Sequence, residues 1–125
     1  MAILPGMQAY CLAMLGGAIG AAARLGVATI LAQVSSDFPW ATLGINLGGS
    51  FLIGVLAAYG LSEPGRAFFI TGVLGGFTTF SSFSLEAGGL LLQNRLGAAI
   101  AYAAASLLGG VAAALLGIAL GRRIY

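Results

Sequence analysis

Apolar residues fill this chain in four long blocks, and polar residues gather in the three gaps between them. The blocks run over about residues 9–32, 40–60, 67–92 and 96–120. Each is long enough to cross a bilayer as a helix, which takes about 20 mostly apolar residues. The gaps carry turn signals: Gln33-Val34-Ser35-Ser36-Asp37 ahead of Pro39, the breaker cluster Ser62-Glu63-Pro64-Gly65, and Gln93-Asn94-Arg95. Trp40, Tyr59 and Tyr125 fall near block ends, where interfacial aromatic belts form. The pattern predicts an all-α membrane protein of four transmembrane helices, with residues 1–125 forming one transmembrane domain.

Composition points the same way. Hydrophobic residues make up 60% of the chain and charged residues 6%, against roughly 25% charged in soluble domains. So apolar a chain has lipid as its solvent, and four spans leave no room for a soluble catalytic domain, so no enzyme is expected. The charges are Arg24, Arg66, Arg95, Arg122, Arg123, Asp37, Glu63 and Glu86, with no lysine or histidine. The net charge of +2 has no basic cluster beyond Arg122-Arg123, which excludes a nucleic-acid footprint. That pair reads as a membrane-surface anchor. Cys11 is the one cysteine, so no internal disulfide or thiol metal site is expected, and it reads as a small buried hydrophobe. The N-terminal Met-Ala-Ile-Leu-Pro-Gly has no basic residue, so a cleaved signal peptide is not expected.

Small residues recur at four-residue spacing: Gly16 and Gly20, Gly44 and Gly48, and the row Ala105, Gly109, Ala113, Gly117 and Gly121. Such rows let helix backbones approach closely in lipid. An even number of spans puts both termini on one side. That side, with the second gap, holds Arg66, Arg122 and Arg123. The other holds Arg95, and Arg24 if its side chain reaches that surface. The positive-inside rule orients such a chain only weakly, which is compatible with insertion both ways. Four short helices enclose little space, so a polar path forms more easily between subunits.

Polar residues within a span need a reason. Arg24 can line a vestibule that attracts anions, or snorkel to the interface. Asn46 can donate to an anion, or glue helices together. The third block is the most informative: after Gly75-Gly76, five hydroxyl residues follow within eight positions, as Thr78, Thr79, Ser81, Ser82 and Ser84. Glycine and competing hydroxyls predict a helix break there, tolerable at that depth only where freed groups are satisfied or line a cavity. Freed carbonyls near a break are ligands for a hard cation such as Na⁺. Phe77, Phe80 and Phe83 recur every three residues, with Thr78, Ser81 and Ser84 one step on. Ring edges and hydroxyls can together replace the water of a small anion. Equally, the rings can face lipid while the hydroxyls bond back to their own helix. Glu86 closes the stretch, reading as a cap or interfacial group, and Tyr102 and Ser106, four apart, extend a polar track or bond between helices.

Together these residues resemble the Fluc (CrcB) family of fluoride channels across nearly the whole chain. The motifs are residues 16–24, ending in Arg24; Thr42-Leu43-Gly44-Ile45-Asn46-Leu47-Gly48-Gly49; and Gly75-Gly76-Phe77-Thr78-Thr79-Phe80-Ser81-Ser82-Phe83-Ser84-Leu85-Glu86, which is highly specific. The resemblance implies an antiparallel, dual-topology homodimer in the cell (inner) membrane, passively exporting fluoride through two pathways. It implies that Phe80 and Phe83 line the pores with Asn46 nearby. Arg24 would lie in the vestibule, Glu86 beside a polar track with Thr79, Ser81 and Ser82, and Tyr102 and Ser106 on the fourth-helix side. It also implies a structural Na⁺ on the dimer axis, held by the backbone carbonyls of Gly75 and Thr78. Two departures stand out: Leu25 where an aromatic residue often follows the arginine, and Gly110 where a second serine is common after Ser106. No nucleotide motif is present, which disfavours an ATP-driven pump. The rival readings are a small proton-coupled exporter relying on Glu86, and a structural subunit without transport.

Overall fold

The computed structural model describes residues 6–34 and 37–125, and every regular element among them is helical. Helix α1 spans Met7–Ala32 and α2 spans Trp40–Tyr59. The third span, Glu63–Leu92, has two limbs: α3 over 63–77 and α4 over Phe80–Leu92. Helix α5 spans Leu96–Ile124. The four spans measure 26, 20, 30 and 29 residues, each about 30 Å or more at 1.5 Å per residue. All four are long and apolar enough to cross a membrane. The third begins at Glu63, because Pro64 sits in its first turn, where a missing N–H costs nothing. The fourth runs on through Arg122 and Arg123, cations placed at the negative end of its dipole.

The turns follow from single residues. Gly60 ends α2 in the left-handed region at φ 72°, which glycine adopts freely. Asn94 ends α4 at φ 58°; its N–H bonds the Leu91 carbonyl at 3.0 Å, and the Arg95 N–H bonds Leu90 at 2.9 Å. This is a Schellman motif with asparagine in the usual glycine place. Arg95 also donates from Nη1 to the Asp37 carbonyl at 2.8 Å, tying two connections at one end of the bundle. Of the turn expected over 33–37, Ser35 and Ser36 lie outside the described residues, as do residues 1–5 of the N-terminal segment.

Glycine governs the packing. A Cβ on Gly16 or Gly20 would collide with the carbonyl oxygens of Phe68 and Val73 on α3, and one on Gly72 would meet the α1 backbone at Gly16. Gly54 and Gly117 set α2 against α5 in the same way, each facing the other helix's backbone, with Gly121 next to Ala58. Dispersion at close approach does in lipid what hydrophobic burial does in water. The Gly44–Gly48 pair is different: a Cβ at either meets nothing within 4 Å, so that face packs against no element among the described residues. Cys11 is exposed on α1 rather than buried, because α1 meets its neighbours through the glycine face. The small interior cluster is Leu43, Leu90, Ala99 and Tyr102.

The break lies three residues beyond the expected glycines. Gly75 and Gly76 remain helical, whereas Thr78 (φ −78°, ψ 155°) and Thr79 (φ −151°, ψ 119°) are extended. Just before them, Arg66–Leu74 is wound as a π-helix, a wider form that often marks functional segments.

Candidate ion pathway

The break is held from both sides. Asn46 on α2 donates from Nδ2 to the Thr79 carbonyl at 2.9 Å and accepts the Thr79 N–H on Oδ1 at 2.8 Å. In a continuing helix that N–H would go to the Gly75 carbonyl; here the Gly75 carbonyl is left without it. From α1, Arg24 Nε donates to the Gly76 carbonyl at 3.1 Å. Arg24 is therefore turned inward, its charge near the carbonyl end of α3, and is not snorkelling to the interface. Asn46 works here as helix-to-backbone glue.

Beyond the break α4 starts afresh. Thr79 is its N-cap, its Oγ1 accepting the Ser82 N–H at 3.2 Å. The Thr79 hydroxyl donates to Ser82 Oγ at 3.2 Å, which leaves the Ser82 O–H available as a donor, and Ser81 Oγ lies 3.2 Å from Thr79 Oγ1. Because the chain is extended at 78–79, the three-residue repeats do not form continuous tracks. Phe80 and Phe83 pair at 5.5 Å between ring centroids, while Phe77 turns to Gly49 on α2. Thr78 and Ser84 bond back to the Leu74 and Phe80 carbonyls, the bland expectation for those two hydroxyls.

One turn further along, the Glu86 carboxylate accepts from Thr42 at 2.7 Å and from Tyr102 at 2.6 Å. Glu86 is thus an interior group held by two hydroxyls, not a cap. Thr42 escaped sequence reasoning, although it lies one turn before Asn46 on the same helix face. Tyr102 is fully buried, its ring 5.0 Å from Phe83 and 5.5 Å from Phe38. Phe38 was also missed, because it lies in the gap between the first two apolar blocks. Ser106 does not join Tyr102; its Oγ is buried and without a hydrogen-bond partner among the described residues.

These side chains line three neighbouring spaces. An open groove of about 600 Å³ runs along α2, the limbs of the third span and α5, lined by Asn46, Gly75, Thr78, Thr79, Phe80, Phe83 and Ser106 among others. A cavity of about 320 Å³ lies on the other side of the break, lined by Arg24, Thr42, Thr79, Ser82 and Glu86. A third, of about 660 Å³, reaches the α1–α2 connection at Asp37 and Trp40. Thr79 lines both the first and the second; Glu86 lines both the second and the third. Every predicted site residue except Ser81 and Tyr102 lines one of these spaces, and those two bond to residues that do.

Four apolar spans, the third broken beside a cavity lined by Arg24, Thr42 and Glu86, mark a multi-pass membrane protein. The chain belongs to the CrcB family: residues 11–118 match the family described as CrcB-like protein, Camphor Resistance (CrcB). It is 42% identical over 126 residues to the fluoride-specific ion channel FluC of Hyphomonas neptunium, covering 95% of this chain and 99% of that protein. Against the proteins of the same name it is 46% identical in Agrobacterium fabrum, covering 88% and 93%. In a strain of Thermus thermophilus it is 47% identical, covering 92% and 96%.

Proposed function

We infer that this chain is one half of a fluoride channel, an antiparallel homodimer in the cell (inner) membrane that lets F⁻ leave the cytoplasm passively. The observation that carries this reading is the succession of three spaces that share Thr79 and Glu86 as wall residues, with Phe80 and Phe83 lining the open groove. The names of the relatives, fluoride-specific ion channels, supply the ion. A dehydrating fluoride needs donors to replace its water. The positive edges of the two phenyl rings offer weak ones, and the Ser82 O–H a stronger one. The N-terminus of α4 adds its dipole. Arg24 draws anions toward the break, and Ser81 and Tyr102 hold the side chains that face the path. Nothing is hydrolysed; the membrane potential moves the anion. The proton-coupled alternative needs a carboxylate free to exchange protons, whereas Glu86 already accepts from Thr42 and Tyr102.

The groove is open on one side, and Phe80 is 78% exposed, which is why the pathway needs a second copy to close it. The same edge bears on the structural Na⁺. Thr78 Oγ1 is committed to Leu74, so its backbone carbonyl is the group it can offer, and Gly75 has lost its helical N–H partner to Asn46. Both residues line the open groove. Neutral carbonyl oxygens suit a hard monovalent cation, so the residues fit the ion, with a second subunit supplying the remaining ligands. Bound there, Na⁺ would cross-link the two breaks electrostatically.

The test is fluoride efflux from liposomes carrying the purified protein in Na⁺-containing buffer, read with a fluoride electrode. Efflux well above protein-free vesicles, with chloride retained, is the expected result. Rates equal to empty vesicles would retire the reading.

A further inference from the structure

Hydroxyl side chains in helices usually bond back to a carbonyl one turn earlier, and in lipid an unpaired hydroxyl is costly. Thr29, Thr78 and Ser84 do bond back. Four hydroxyls line the open groove: Ser50, Thr78, Thr79 and Ser106. Thr78 and Thr79 are spent on the two helix ends at the break. Ser106 Oγ is buried with no partner, and none of the hydrogen bonds among the described residues reaches Ser50 Oγ either. Two donors on facing helices, α2 and α5, are therefore left unused in one groove.

Ser50 stands one turn beyond Asn46 on α2, and across from it on α5 is Gly110, the residue one turn after Ser106. A Cβ built on Gly110 would lie 3.7 Å from Ser50 Oγ. At this level α5 offers no side chain, so the hydroxyl on α2 is the polar group that faces the groove there. We propose that Ser50 is an anion-binding residue of the pathway, donating its Oγ–H to the permeating ion beside Ser106 and occupying the place where α5 has only glycine. This rests on the channel reading and deepens it by adding a station on α2.

The geometry provides a test by transplantation. Since 3.7 Å is an ordinary contact, a serine fits at position 110 and can carry the hydroxyl from the opposite helix. Efflux would be compared for the wild type, Ser50→Ala, Gly110→Ser and the double variant, each checked for dimer content by size exclusion. Ser50→Ala should slow fluoride efflux roughly tenfold, the scale of one hydrogen bond to a charged group. The double variant should recover most of the wild-type rate. Wild-type speed in Ser50→Ala overturns the proposal. So does a slow Ser50→Ala that Gly110→Ser fails to rescue, which assigns Ser50 to packing. A Ser50→Ala protein that runs as a monomer also overturns it, in favour of a subunit contact. Failure of the wild type itself to pass fluoride would instead retire the channel reading, so the two failures are separable.

Discussion

Asn46 shows how one side chain can decide a backbone. An extended pair of residues at mid-membrane exposes an N–H and a C=O that lipid cannot satisfy. The Asn46 amide supplies one acceptor and one donor in the same plane, and both go to Thr79. Leucine has nearly the same shape and neither polar atom. Asn46→Leu should therefore destabilise the folded protein by about 2–4 kcal/mol, the cost of leaving two interior groups unpaired, and abolish efflux. Asn46→Asp keeps the acceptor for the Thr79 N–H but sets a carboxyl oxygen against the Thr79 carbonyl, so it should lose stability as well. Denaturation in detergent micelles reads both; a leucine variant as stable as the wild type would show that Asn46 does not hold the break. The sequence made Asn46 conspicuous as an intramembrane amide, yet left open whether it serves an ion or a helix. Partner choice depends on the register between α2 and the third span, which no local pattern encodes. Thr42 was invisible for the same reason: a threonine in an apolar run looks ordinary until Glu86 is found opposite it.

At the scale of elements, glycine spacing was the legible signal and its direction was not. The Gly16–Gly20 and Gly117–Gly121 spacings mark real contacts, while Gly44–Gly48 at the same spacing faces away from the chain. Spacing gives a face, and only packing says what lies against it. The break illustrates the same limit: glycine propensity pointed to 75–76, but Gly76 packs on the α1 backbone at Gly17 and Gly75 lines the open groove, and the helix yields where Thr79 can cap α4. A direct contrast follows on α1. A methyl at Gly20 meets the Val73 carbonyl, whereas one at Gly17 meets nothing within 4 Å. Gly20→Ala should force α1 from α3 at a cost of about 1–3 kcal/mol. Gly17→Ala should be neutral or stabilise by up to about 1 kcal/mol through helix propensity. Melting temperatures in micelles decide it, and equal losses in both variants would mean that α1 does not pack on α3 as described.

The whole molecule raises the matter of orientation. Arg66, Arg122 and Arg123 lie on the side of the termini and Arg95 on the other, while Arg24 is turned inward to Gly76 and counts for neither. Acidic residues contribute little to orientation, so Glu63, 3.6 Å from Arg66, does not change the balance. Three against one over so short a chain is a small bias, and an antiparallel pair needs chains inserted both ways. Two locked variants test this. Appending two lysines after Tyr125 should hold the termini on the cytoplasmic side. Gln93→Lys with Arg122→Gln and Arg123→Gln should reverse the bias by placing two cations against one. Each variant alone should give chains of a single orientation and little efflux, because equal orientations cannot form the antiparallel groove closure. Expressed together they should restore it. Full efflux from either variant alone, with its single orientation verified by labelling of the termini, would show that the groove closes in a parallel pair and that dual topology is not required.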